Sequence, residues 1–162
     1  MTKQVKLGPY TLILNRETLE IFKKYRQLKK RDKEAGGILM GQVRDQHIYI
    51  NRASLPSSFD KATRHSFQRN KKIAQLLINY EFWNSGKTIT YLGEWHTHPE
   101  PKPAPSPTDI KMISSQLKEN DLQYPYVIQC IIGVEQVYLK LLSPENQYEK
   151  NVNFNDTPNC ND

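Results

Sequence analysis

The chain has 162 residues, 37% of them hydrophobic, and carries 23 basic against 17 acidic side chains for a net charge of +6. That size fits one domain around a single core, and no apolar run reaches the length of a membrane-spanning helix. The positive balance admits an acidic partner, but the densest basic cluster, residues 23–33 (KKYRQLKKRDK), suits a solvated helix end and lacks the interleaved aromatics of a single-strand groove, so no specific nucleic-acid partner is read from it.

The opening MTKQVKLGPY has no apolar core of the kind a signal peptide needs, which points to the cytoplasm and to no membrane partner. Residues 8–14 (GPYTLIL) read as a first strand. Asn15 is a fitting N-cap for a helix over residues 16–30, where Leu19, Phe22, Tyr25 and Leu28 recur at every third position. Residues 34–41 (EAGGILMG), a turn at Arg44-Asp45-Gln46 and residues 47–50 (HIYI) predict a hairpin with Glu34 at its mouth. Taken alone, Glu34 is one more surface carboxylate. Residues 52–66 are polar and without period and read as a loop, in which His65 is a stray histidine. A second amphipathic helix is expected from about residue 67 to 84, with Ile73, Leu76, Leu77 and Tyr80 as its stripe and Trp83 extending it.

Residues 88–98 (TITYLGEWHTH) have the aromatic and β-branched content of a strand. Side chains alternate along a strand, so His96 and His98 share one face. Glu94 joins them there, either as an acceptor orienting an imidazole or as a rim charge, while Trp95 alternates to the other face with Tyr91 and Ile89 as core. A proline-rich loop follows, in which Glu100 and Lys102 are expected to be exposed and within reach of substrate. Ser106-Pro107-Thr108-Asp109 reads as a helix start, with Ser as N-cap and Asp at the third position. Ile110, Ile113 and Leu117 would lay that third helix over the core. Residues 124–132 and 136–142 predict two last strands joined at 133–135. The domain is expected over residues 1–143, with a polar tail over 144–162 that frays. Cys130 and Cys160 make neither a disulfide framework nor a C-x-x-C motif.

Separately, paired histidines on a strand or a Ser-x-x-Asp cap mean little. Jointly they place two imidazoles at a strand end facing a helix N-terminus that returns an aspartate. His96, His98 and Asp109 are a suitable set for zinc with a fourth position left open, as in catalytic rather than structural sites.

These residues carry a resemblance. His-x-His, seven residues, then Ser-x-x-Asp, with a Glu about sixty residues upstream, looks like the JAMM signature of the MPN/JAB metalloprotease family, and the Pro that commonly follows the second His is present as Pro99. The likeness runs over roughly residues 10–142. It implies a single α/β domain of MPN/JAB type, a curved mixed sheet flanked by helices in a cytidine-deaminase-like layering. It further implies zinc on His96, His98 and Asp109, Glu34 as general base, and Ser106 as donor to a developing oxyanion. In the family, an insertion near residues 52–66 helps hold the tail of a modifier protein. The implied partner is a ubiquitin-like modifier or a protein carrying one. The chain looks most like stand-alone prokaryotic members, among them anti-phage deconjugases that release a cGAS-like nucleotidyltransferase from its targets. Two alternatives stay open: a JAB peptidase that processes a sulfur carrier or phage-tail peptide, and an MPN binding scaffold without catalysis.

Overall fold

The computed structural model describes residues 2–155. Its elements are β1 (Lys3–Leu7), β2 (Tyr10–Leu14), α1 (Arg16–Tyr25), β3 (Gly36–Arg44), β4 (His47–Ala53), β5 (Lys61–Thr63), β6 (Ser66–Gln68), α2 (Lys71–Asn84), β7 (Thr90–Thr97), α3 (Pro107–Glu119), β8 (Val127–Ile132), β9 (Gln136–Leu142) and β10 (Gln147–Asn153). Eight strands form one mixed sheet in the order β1-β2-β4-β3-β7-β8-β9-β10, in which β2–β4 and β7–β8 are parallel. The sheet curves until its edges approach, and the Lys3 ammonium of β1 donates to the Asn153 carbonyl of β10. On one face, Leu19 and Phe22 of α1 enter a core that draws on the sheet from β1 to β9. On the other, Ala74 of α2 packs with Ile38, Met40 and Ile89. This is the mixed, helix-flanked α/β domain the resemblance implies. None of the helices among the described residues is long and apolar enough to cross a membrane.

Several local expectations are corrected. Residues 3–7 form a strand that hydrophobic counting missed, because only Val5 and Leu7 are apolar on its buried side and Lys3 takes the third inward place. Helix α1 ends at Tyr25, where Arg26 turns extended, so Leu28 is exposed and Gln27 is buried in its stead. The expected loop over 52–66 contains the last residues of β4, all of β5 and the start of β6. The β5–β6 hairpin pairs Ala62 with Phe67, and its turn is tied by the Thr63–Ser66 hydroxyl pair at 2.7 Å. Helix α2 begins only at Lys71, capped by the Asn70 side chain, and its expected core stripe is split. Leu76, Tyr80 and Trp83 are more than 60% exposed, while Ala74 is buried. On α3, Ile113 is buried but Ile110 faces solvent. Within the expected tail, Gln147–Asn153 does not fray but pairs with β9 as an edge strand. Cys130 is buried and free, and Cys160 lies outside the described residues.

One irregularity sets the site. Opposite β3, β7 carries an extra residue, because Leu39 faces Gly93 while Met40 faces Tyr91. Strict alternation breaks there. Leu92 and Trp95 point into the α1-side core, whereas Ile89 and Tyr91 pack on the α2 side, so the expected grouping of Trp95 with Tyr91 and Ile89 is wrong. Gly93 makes the bulge possible at φ +156°, where a Cβ would lie 1.8 Å from the Ile128 carbonyl oxygen. Gly93→Ala is expected to cost at least about 2 kcal/mol in chemical denaturation. Gly86→Ala, in open space at φ +66°, should cost about 1 kcal/mol and serves as comparison.

Candidate metal centre

At the end of strand β7, His96 and, just beyond it, His98 lie on the face opposite Trp95, both buried. His98 is held just past the strand by its backbone N–H to Ile132 O at 2.9 Å. Pro99 to Pro105 then carry the chain to α3. That loop is fixed from below, since Val134 N–H donates to Glu100 O at 2.9 Å, and those of Glu135 and Gln136 to Pro101 O at 3.1 and 3.0 Å. Helix α3 starts with a reciprocal cap: Ser106 Oγ accepts from Asp109 N–H at 3.2 Å, and Asp109 Oδ2 accepts from Ser106 N–H at 2.8 Å.

The cap aims the Asp109 carboxylate at both imidazoles. Oδ1 lies 3.1 Å from His96 Nε2, Oδ2 lies 3.1 Å from His98 Nε2, and the two Nε2 atoms are 3.2 Å apart. Four donors set tetrahedrally around zinc at about 2.0–2.1 Å stand about 3.3–3.4 Å from one another; the two Nε2 atoms meet that spacing, a different Asp109 oxygen lies 3.1 Å from each, and one ligand atom from each of the three residues falls within 4.8 Å of the others. Among the described residues, His96, His98 and Asp109 form the sole such cluster. Nitrogen and carboxylate donors in a buried setting suit zinc chemically, and the residues fit the ion that the resemblance implies.

Glu34 stands at the edge of the triangle, Oε1 4.0 Å from His98 Nε2. Its backbone is gripped from two sides. Glu34 N–H donates to Thr63 O of β5 at 2.8 Å, and Ala35 N–H donates to Thr97 Oγ1 of β7 at 2.9 Å. The Thr97 hydroxyl donates in turn to Gln27 Oε1 at 3.0 Å, and the Gln27 amide donates to Asp32 O and Arg64 O. Burial pushes the Glu34 carboxyl up to about 7. Asp109 and Glu100 add to the rise and His98 opposes it. Burial would also raise the Asp109 carboxyl, but the two imidazoles and the Ser106 amide outweigh it and hold it far below the usual range. For His98 burial works downward, and Asp109, Glu34 and Glu100 more than reverse it.

All five residues singled out in the sequence thus meet at one place, and others join that sequence reasoning missed. Glu94 neither orients an imidazole nor sits at a rim. It is buried against Arg69, with Oε1 2.7 Å from Nε and 2.6 Å from Nη2, and it accepts from the Tyr91 hydroxyl at 3.2 Å. The carboxylate beside His98 is Glu100, with Oε2 3.2 Å from Nδ1. His65 is exposed and away from the cluster. Gln27, Thr97 and Arg69 carried no local signal, because each acts through partners distant in the chain.

Residues 21–142 match the family described as prokaryotic homologs of the JAB domain. A Pseudomonas aeruginosa protein named CD-NTase/cGAS isopeptidase is 33% identical over 136 residues, 84% of this chain and 85% of its own. A probable metalloprotease of Sinorhizobium fredii is 33% identical over 69 residues, 42% of each chain. The solution structure of a Desulfitobacterium hafniense protein shares the fold, with TM-score 0.59 and 19% identity over 85% of this chain and 88% of that one.

Purified protein is expected to hold about one zinc-class ion per chain by elemental analysis, and His98→Ala or Asp109→Asn to lose it. A chelator should lower the melting temperature and added zinc restore it, since an ion at about 100 times its Kd contributes ~2.7 kcal/mol.

Proposed function

The chain belongs to the prokaryotic branch of the JAB/MPN family, and on that premise we propose that it is a zinc-dependent isopeptidase. It cuts the bond that follows the C-terminal tail of a ubiquitin-like or modifier-like protein. The observation that carries this reading is the convergence of His96, His98 and Asp109, with the two Nε2 atoms 3.2 Å apart and a different Asp109 oxygen 3.1 Å from each, and Glu34 4.0 Å from His98. A zinc ion held by the three supplies Lewis acidity and makes a water molecule a competent nucleophile near neutral pH.

The chain's own residues do the rest. Glu34 takes the proton of the attacking water and passes it to the departing amine, a task that its place 4.0 Å from His98 Nε2 suits. Ser106 Oγ already accepts the Asp109 N–H, which leaves its hydroxyl proton free to donate to the oxygen that gains charge on the scissile carbonyl. Two features support an extended tail as substrate. The β5–β6 hairpin stands outside the main sheet with the outer edge of β6 unpaired, open to strand addition. Beside it a groove of about 300 Å³ runs between β6 and α3, lined by Phe67, Arg69, Glu94, Met112 and Gln116. The name of the Pseudomonas relative suggests the substrate class: a conjugate of a cGAS-like nucleotidyltransferase, in anti-phage defence in the cytoplasm.

Metal-loaded protein is expected to release such a nucleotidyltransferase from a C-terminal fusion or lysine conjugate, read by gel shift and intact mass. Glu34→Gln should lower turnover by about 10²–10⁴-fold with metal content at the wild-type level. A metal-loaded wild type that leaves a panel of C-terminal fusions and isopeptide conjugates intact would sink the proposal.

A further inference from the structure

We propose that Glu100 is a positioning residue of the metal centre: its carboxylate accepts the Nδ1 proton of His98 and so keeps Nε2 bare and turned to the ion. The inference rests on the metal-binding reading above and deepens it. A neutral imidazole has one proton for two nitrogens. With Nε2 in the ligand triangle the proton belongs on Nδ1, and a buried N–H needs an acceptor. His98 Nδ1 is buried and lacks a partner of hydrogen-bond geometry, yet Glu100 Oε2 stands 3.2 Å away. Distance is satisfied and alignment is not. The Glu100 side chain is 56% exposed and has no other polar partner among the described residues, so a change of its own torsions is enough to align it.

The backbone beneath Glu100 is rigid where this matters. Its carbonyl is held by Val134 N–H and that of Pro101 by two further amides of the β8–β9 turn, while Pro99 and Pro101 fix φ on both sides. Gly133 permits the close approach, since a Cβ there would lie 2.7 Å from Glu100 O. Ordering the carboxylate therefore costs the freedom of one side chain and none of the loop. Glu94, the other acid on this face of β7, is already taken by Arg69. His96 Nδ1 is buried without a hydrogen-bond partner, so the two imidazoles are unequal and His98 is the one with a carboxylate behind it.

The test uses the full chain with Glu100→Ala, Glu100→Gln and, as a control on the same loop, Lys102→Ala. Zinc affinity is measured by competition with a chromophoric chelator. Glu100→Ala should weaken it by about 10–100-fold. Glu100→Gln, which keeps an oxygen acceptor, should recover most of that loss, and Lys102→Ala should match wild type. Thermal melting of metal-free Glu100→Ala should match wild type. Zinc affinity of Glu100→Ala within about twofold of wild type overturns the inference, as does a Glu100→Gln no better than Glu100→Ala. A wild type that binds no zinc overturns the metal reading itself, so the two failures are told apart.

Discussion

The Asp109 carboxylate accepts the Ser106 N–H at 2.8 Å while the Ser106 hydroxyl oxygen accepts the Asp109 N–H at 3.2 Å, and the rest of the site takes its position from that exchange. As a helix cap it is worth about 1 kcal/mol. A structural zinc ion in a small domain contributes on the order of 10 kcal/mol, so the cap matters little as a source of stability beside a bound ion. Its value is geometric. One oxygen of Asp109 is fixed by the helix start, which leaves that oxygen's second lone pair and the whole of the other oxygen for the two imidazoles. An aspartate without a cap would choose among rotamers, and the triangle would exist only part of the time.

Glu34, the proposed base, is positioned by different means. Glu34 lies just before β3, where the strand ladder has not begun, so strand pairing with β7 alone cannot hold it. Thr97 closes the gap from β7, and Gln27 anchors Thr97 by reaching the carbonyls of Asp32 and Arg64. Arg64 at the β5–β6 turn clasps the carbonyls of Lys29 and Lys30. The segment after α1, the hairpin and the metal strand are therefore one hydrogen-bonded assembly around a single carboxylate. Such an assembly gives a base a fixed reach, the condition under which proton transfer is efficient.

How much of this is legible in the sequence follows from range. His96 and His98 are two residues apart and Ser106 and Asp109 three, so strand alternation and cap chemistry suffice to orient each pair. The proline loop between them is short enough to bring the pairs together. Glu34 is legible only through resemblance, because its place depends on β3 lying antiparallel to β7. The bulge at Gly93 is invisible to alternation, and it put Tyr91 on the wrong side in the sequence reading. Strands β1, β5, β6 and β10 escaped because edge and hairpin strands carry few apolar residues. Helix α2 misled for the opposite reason, being apolar on both faces, so that periodicity could not say which face is buried.

The pairing of Glu94 with Arg69 completes the electrostatic argument. A carboxylate buried on the same face of β7 as the two histidines, if left alone, would add a negative charge beside Asp109 and Glu34. It would also compete for any cation there. Arg69 meets it with two nitrogens at 2.6 and 2.7 Å, and the Tyr91 hydroxyl donates to the same oxygen. Buried ion pairs are weak sources of stability, since desolvation offsets much of the Coulombic gain. This one has another consequence. With Glu94 neutralised, the carboxylates left to face a bound dication are Asp109, held ionised by the two imidazoles, with Glu34 and Glu100 beside His98. The arginine that does this also lines the groove beside β6, as Glu94 does, so there the groove presents a paired charge rather than a free one.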